Sequence, residues 1–115
     1  MSIAIVAGVA VTVLAAGYFM RSVGKASPEQ AQTLVSQGAL LVDVRSPGEY
    51  ADGHIEGAVN IPVGEVESRI GEFGDKDASV VVYCRSGMRS ASAKRTLIEH
   101  GWTDVHDLGA MSRWP

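Results

Sequence analysis

The chain has 115 residues, with 13 acidic and 10 basic side chains and a formal net charge of −3. That length holds one domain and excludes a second catalytic unit, and the weak negative charge offers no basic field for nucleic acid. A single cysteine excludes an internal disulfide, a Cys-x-x-Cys redox pair and a cysteine-rich zinc site.

The first segment, Ile3 to Met20, carries no charged residue. As a helix rising about 1.5 Å per residue it would reach roughly 27 Å, close to the apolar thickness of a bilayer. Tyr18 and Arg21 follow the pattern of an interfacial aromatic and a basic anchor. The competing assignment is a cleaved secretory signal, which would leave a secreted or periplasmic domain. It fits less well. Met1-Ser2 supplies no positive side chain, and the small-residue run Ala15-Ala16-Gly17 lies inside the apolar stretch with bulky Tyr18-Phe19-Met20 after it. The expectation is a single-pass transmembrane anchor over residues 1–21, touching the membrane through 3–20, then a short linker over 22–26 and one globular domain over 27–115. Arg21 and Lys25 on the C-terminal flank put that domain in the cytoplasm and the N-terminus outside.

In the globular part, Ser27-Pro28-Glu29-Gln30 reads as an N-cap, a proline at the first helical position and a polar first turn. Ala31, Leu34 and Val35 follow at helical spacing and Gly38 stops the helix. Ala39 to Val44 is an apolar run typical of a strand covered on both faces, and so of a parallel sheet. Ser46-Pro47-Gly48-Glu49 repeats the cap-then-proline signal, and Gly53-His54-Ile55-Glu56-Gly57 is a glycine-bounded turn before the brief run Ala58-Val59. Val66, Ile70 and Phe73 share one face of a helix predicted over Val63 to Phe73. Val80 to Tyr83 is the most β-prone segment, and it runs directly into Cys84-Arg85-Ser86-Gly87-Met88-Arg89 before a helix from about Ser90 to His100. Val105 to Leu108 reads as a last strand and Gly109 to Pro115 as an irregular or briefly helical tail. Strands alternating with helices predict an α/β fold: an open, mainly parallel sheet with helices on both faces and its site at the carboxyl ends of the strands.

Cys84 falls at such an end. A thiol between a strand and a helix can be ringed by backbone N–H groups of the loop, with the positive end of the helix dipole behind them. Both stabilise a thiolate, and Arg85 and Arg89 add positive charge, so the thiol is expected below the free value of about 8.5. Gly87 allows the curvature by tolerating positive φ. The same donors suit a terminal persulfide sulfur or an anion such as thiosulfate, without a metal or organic cofactor. As a merely structural group Cys84 would be a small buried hydrophobe, which leaves two arginines, a serine and a glycine in the next five positions unexplained.

These residues resemble the rhodanese active-site loop, Cys-x4-Arg/Thr, here Cys84 to Arg89 with Ser90 following. Leu41-Val42-Asp43-Val44-Arg45 with Glu49 looks like the family's Asp-Val-Arg-x3-Glu segment. Gly53 to Pro62 resembles its Gly-His-Ile-x-Gly-Ala-x-Asn-Ile-Pro motif, and Gly109-Ala110 with Trp114 its terminal Gly-Gly-x3-Trp, with alanine for the second glycine. The resemblance covers Ser27 to Pro115. It implies a sulfurtransferase that forms a persulfide on Cys84 from a small sulfur-containing anion and passes the sulfur to cyanide or to a thiol acceptor. It also implies that the amides of Arg85, Ser86, Gly87, Met88 and Arg89 cradle the sulfur, that Arg85 and Arg89 attract an anionic donor, and that Ser86 and Ser90 donate hydrogen bonds. Asp43 and Arg45, at another strand's end, are candidate rim residues, although Arg45 and Glu49 are also spaced for a structural ion pair. His54 is expected to fix its turn by hydrogen bonding rather than to pair with Cys84.

Two rival functions belong to other classes. A cysteine-based phosphatase or arsenate reductase would use a similar amide cradle, but the phosphatases resembled have a loop one residue longer and a histidine before the cysteine. A catalytically silent rhodanese-like module would recruit a partner to the membrane, and such members usually lack the cysteine.

Overall fold

The computed structural model describes residues 24–115. The expected anchor over residues 1–21 lies outside them, and among the described residues no helix is long and apolar enough to cross a membrane. The expected linker is described from Gly24 onward. There Ala26 is buried and its N–H donates to the Asp107 carbonyl at 2.8 Å, so the segment lies against the domain.

Helix α1 spans Pro28–Ser36, with the Ser27 hydroxyl accepting from the Gln30 N–H at 3.1 Å and Pro28 in the first turn. Strand β1 (Leu40–Asp43) follows, then helix α2 (Pro47–Asp52), β2 (Val59–Asn60), β3 (Val80–Cys84), helix α3 (Met88–Glu99) and β4 (Val105–Ala110). The four strands form one parallel sheet in the order β2-β1-β3-β4. Every residue of β3 is buried, as expected of the apolar run Val80 to Tyr83 in a sheet covered twice.

Side-chain alternation along the strands builds two cores. On one face Val42, Val80, Val82 and Cys84 pack with Ala93 and Leu97 of α3, and with Ile61, Val66, Phe73 and Trp102. On the other, Leu41, Val81, Tyr83 and Leu108 pack with Ala31 of α1, with Tyr50 of α2 and with Trp114. Helices therefore cover both faces.

Two expectations are corrected. Val63 to Phe73 is not one helix but two 3-10 turns, Val63–Glu65 and Ile70–Phe73. Gly64 and Gly71 raise the backbone entropy cost of a continuous helix, and Val63, Val66 and Ile70 are β-branched. Val66 and Phe73 still reach the core, so the apolar pattern is met without the regular helix. Gly109 and Ala110, read as the start of an irregular or briefly helical tail, instead belong to β4, and the helical turn comes after them at Met111–Arg113. The pairing with β3 slips by one residue between Val82 and Tyr83, leaving Leu108 as the extra residue of a bulge. Gly109 closes it at φ 86° with its N–H donating to Asp107 Oδ1 at 2.8 Å. Ala110 sits at φ −72°, which an alanine adopts freely, so the departure from a second glycine costs the backbone nothing.

Candidate functional site

Cys84 ends β3 and Met88 opens α3, so Arg85-Ser86-Gly87 must turn the chain sharply. Gly87 does so at φ 104°, in the left-handed region where a side chain is strained. The turn brings the Gly87 N–H to 2.9 Å from Cys84 Sγ. Ser90, in the first turn of α3 and fully buried, holds its hydroxyl 3.5 Å from the sulfur and 3.1 Å from the Gly87 carbonyl.

This arrangement suits both protonation states. With the thiol protonated, S–H donates to Ser90 Oγ and the Ser90 hydroxyl donates to the Gly87 carbonyl. With the thiolate, that hydroxyl turns to the sulfur. Burial pushes the thiol up, but the Ser90 hydroxyl and the backbone N–H groups of Ser90, Gly87 and Ser86 outweigh it. The net effect holds Cys84 below an ordinary thiol.

Of the loop residues singled out in the sequence, Arg85, Ser86 and Met88 are exposed, Gly87 is buried and Arg89 is half-buried. Arg89 does not stand free for a donor. Its guanidinium forks onto Glu49 at 2.6 and 3.0 Å. Glu49 also closes a capping box with Ser46 at the start of α2. The Arg89 hydrogen bonds, helped by Ser46, pull the Glu49 carboxyl down to about 2.

The expected Arg45–Glu49 pair is thereby corrected. Glu49 faces α3, while Arg45 folds back onto Asp43, with Nη2 at 2.7 Å from Oδ2, and also donates to the Gly53 carbonyl at 2.6 Å. The i,i+4 spacing holds only within a helix, and Arg45 precedes the cap of α2. Arg45 lines a cleft of about 410 Å³ with Glu49, Asp52, Arg85, Met111 and Ser112, of which Arg85 alone belongs to the Cys84 loop. Asp43 lies fully buried beneath it and accepts from the Tyr83 hydroxyl at 2.9 Å. Tyr83 accepts in turn from the Ile55 N–H at 3.1 Å, which ties the glycine turn to β3. His54 stacks on the Tyr50 ring with centroids 3.7 Å apart, and its Nδ1 donates to the Tyr50 carbonyl at 2.8 Å, as expected of a turn-fixing residue.

Three neighbours of the site were not legible in the sequence: Met111 and Ser112 from the tail, and Lys25. The Lys25 stem crosses Gly109 and Gly87, so that a Cβ added to Gly109 would meet its Cε at 2.7 Å. All three arrive through the fold from remote parts of the chain, and no local spacing announces them. Among the described residues no three His, Cys, Asp or Glu side chains gather to hold a metal ion.

Comparison with known proteins agrees with this geometry. The thiosulfate sulfurtransferase PspE of Escherichia coli is 44% identical over 71 residues, covering 61% of this chain and 68% of PspE. The thiosulfate sulfurtransferase GlpE of Pseudomonas fluorescens is 41% identical over 88 residues, covering 76% of this chain and 80% of GlpE. Among solved structures, a rhodanese with anions from Escherichia coli is similar at a TM-score of 0.64 and 40% identity, over 68% of this chain and 95% of that one. The human single-domain sulfurtransferase TSTD1 is similar at a TM-score of 0.66 and 34% identity, over 76% and 89% of the two chains. The rhodanese-like domain profile matches residues 27–114, which is the whole sheet with its helices and the cysteine loop, and the chain belongs to the rhodanese-like domain family.

Proposed function

We propose that this rhodanese-type sulfurtransferase moves a sulfane sulfur from an anionic donor such as thiosulfate to cyanide or a thiol, through a persulfide on Cys84. The observation that carries the reading is the Gly87 N–H at 2.9 Å from Sγ, backed by the Ser90 hydroxyl and the N-terminal turn of α3. Fixed donors around a sulfur stabilise the thiolate before reaction and the persulfide after it.

In the first half-reaction the Cys84 thiolate attacks the outer sulfur of thiosulfate. A new S–S bond forms, the old one breaks, and sulfite leaves with the electron pair. In the second, cyanide or a thiolate attacks the terminal persulfide sulfur, and the Cys84 thiolate is the leaving group. No net redox change or metal is required. The S–S bond of about 2.05 Å carries the terminal sulfur outward from a buried Sγ, toward the N–H groups of the loop.

Arg85 is the loop arginine suited to meeting the donor, because it is exposed and lines the cleft. Arg89 serves the loop through its fork onto Glu49. Attachment of the domain to a membrane through residues 3–20 belongs to the same proposal, with the domain on the cytoplasmic side. Its support is the uncharged run Ile3 to Met20 with Arg21 and Lys25 beyond it. Protease digestion of intact and opened cells tests it: cleavage of the domain in intact cells would sink that topology.

Cys84→Ser tests the chemistry. The variant should fold and lose thiosulfate-to-cyanide transfer, and mass spectrometry should find one added sulfur on Cys84 of the parent protein after thiosulfate. Undiminished transfer by the variant would overturn the mechanism.

A further inference from the structure

Lys25 lies outside every motif of the catalytic loop, yet it sits on that loop. An added Cβ at Gly87 would lie 3.3 Å from Lys25 Cε and 3.6 Å from its Nζ, and one at Gly109 would lie 2.7 Å from Cε and 3.0 Å from Cδ. Gly87 is the residue whose N–H holds the sulfur. The lysine stem thus fills the space that two glycines leave open, and the ammonium ends against the residue that grips Sγ.

Two bonds set the lysine there. Ala26 N–H donates to the Asp107 carbonyl at 2.8 Å, and Lys94 Nζ of α3 donates to the Gly24 carbonyl at 3.3 Å. The segment is therefore held on both sides of Lys25. The charges around the loop point the same way. Arg45 is paired with Asp43 and Arg89 with Glu49, and Arg113 donates to the Leu108 carbonyl. Among the described residues neither Arg85 nor Lys25 makes an ion pair, so neither charge is neutralised by a carboxylate in contact with it. The hollow that Lys25 lines with Gly24, Lys94 and Arg95, and with Glu99 and Asp107, shares no residue with the Arg85 cleft.

We propose that Lys25 is a positioning residue for sulfur transfer: its stem braces Gly87 and its ammonium biases the Cys84 loop toward anionic sulfur donors over neutral ones. This rests on the sulfurtransferase reading of the same site and deepens it by naming a residue outside the loop that sets the preference for an anionic donor. Lys25 adds to the loop charge of Arg85 a second one from the segment that joins the domain to the N-terminal apolar run.

The test reads the field at the sulfur without needing turnover. Cys84 of the full chain is alkylated with iodoacetate, which is anionic, and with iodoacetamide, which is neutral, and the ratio of the two rates is taken at low and at high salt. Lys25→Met keeps most of the stem and loses the charge, and it should lower the ratio by about two- to fivefold, the range for one solvated charge at close quarters. Lys25→Arg should restore it, high salt should shrink the difference, and KM for thiosulfate should rise in the methionine variant by a similar factor. An unchanged ratio in Lys25→Met, or a ratio that falls equally in Lys25→Arg, would overturn the proposal. Persulfide formation by the parent protein is scored separately. Its absence would overturn the functional reading, whereas its presence with an unchanged ratio overturns only the role of Lys25.

Discussion

The Ser90 hydroxyl favours the Cys84 thiolate. Burial opposes the thiolate, and the Ser90 hydroxyl is the largest of the groups that reverse the balance, ahead of the individual backbone N–H groups. A group held below its ordinary value reacts as the anion above that lowered point and loses reactivity as pH falls through it. Alkylation of Cys84 by iodoacetamide should therefore reach half its maximum below about 8.5, the ordinary thiol value. Ser90→Ala should move that midpoint upward and slow persulfide formation at neutral pH by roughly tenfold, the low end of what a hydrogen bond to a charged group is worth. A midpoint unmoved by Ser90→Ala would assign the whole effect to the backbone. Arg85 and Arg89 divide differently from their symmetrical look in the sequence. Arg85→Ala should raise KM for thiosulfate by losing an exposed charge in the cleft. The paired Arg89 is instead a brace.

At the scale of elements, that brace joins α2 to α3. Glu49 serves both helices, closing the Ser46 capping box and taking the Arg89 fork. With its carboxyl pulled down to about 2, the stabilisation it provides is complete above the ordinary carboxylate value and is lost as pH falls through about 2. Glu49→Gln removes that charge at every pH. The variant should lower the thermal midpoint at neutral pH, and the gap from the parent should close in acid. A gap constant down to pH about 2 would show that Glu49 acts through packing alone. The elements themselves were largely legible. Ser27-Pro28 and Ser46-Pro47 marked two helix starts, and the run Val80 to Tyr83 marked the central strand, because caps and buried strands are written in adjacent residues. The segment Val63 to Phe73 misled because an apolar face at helical spacing also fits two 3-10 turns. The bulge that carries β4 through Gly109 depends on pairing with β3, which no local pattern records. The same limit applies at the site. The Cys84 loop is contiguous and was readable, but which carboxylate takes Arg89, and the arrival of Lys25 over Gly87, are settled by tertiary packing.

Across the whole molecule, the sheet separates chemistry from support. Cys84 points into the face covered by α3, and the adjacent Tyr83 into the face covered by α1 and α2. Tyr83 links three parts of the chain there, since its hydroxyl donates to Asp43 of β1 and accepts from Ile55 in the glycine turn, and Arg45 sits 5.8 Å from its ring centre. Among the described residues no buried side-chain nitrogen or oxygen lacks a partner, so this network has no slack. Burial and the bond to Asp43 also push the phenol up, out of reach of ordinary titration, so it acts as a neutral donor throughout the working range. Tyr83→Phe keeps the ring and strands the buried Ile55 N–H, while Asp43 Oδ2 loses one donor but keeps its bonds from Arg45. It should cost about 1–3 kcal/mol of stability, seen as a lower urea midpoint at unchanged slope. Because the hydroxyl lies on the face away from Sγ, the folded variant should alkylate Cys84 with the parent's pH midpoint. A shifted midpoint would mean that strain in the support network passes through β3 into the loop, and the sheet would then be a coupling element rather than a partition.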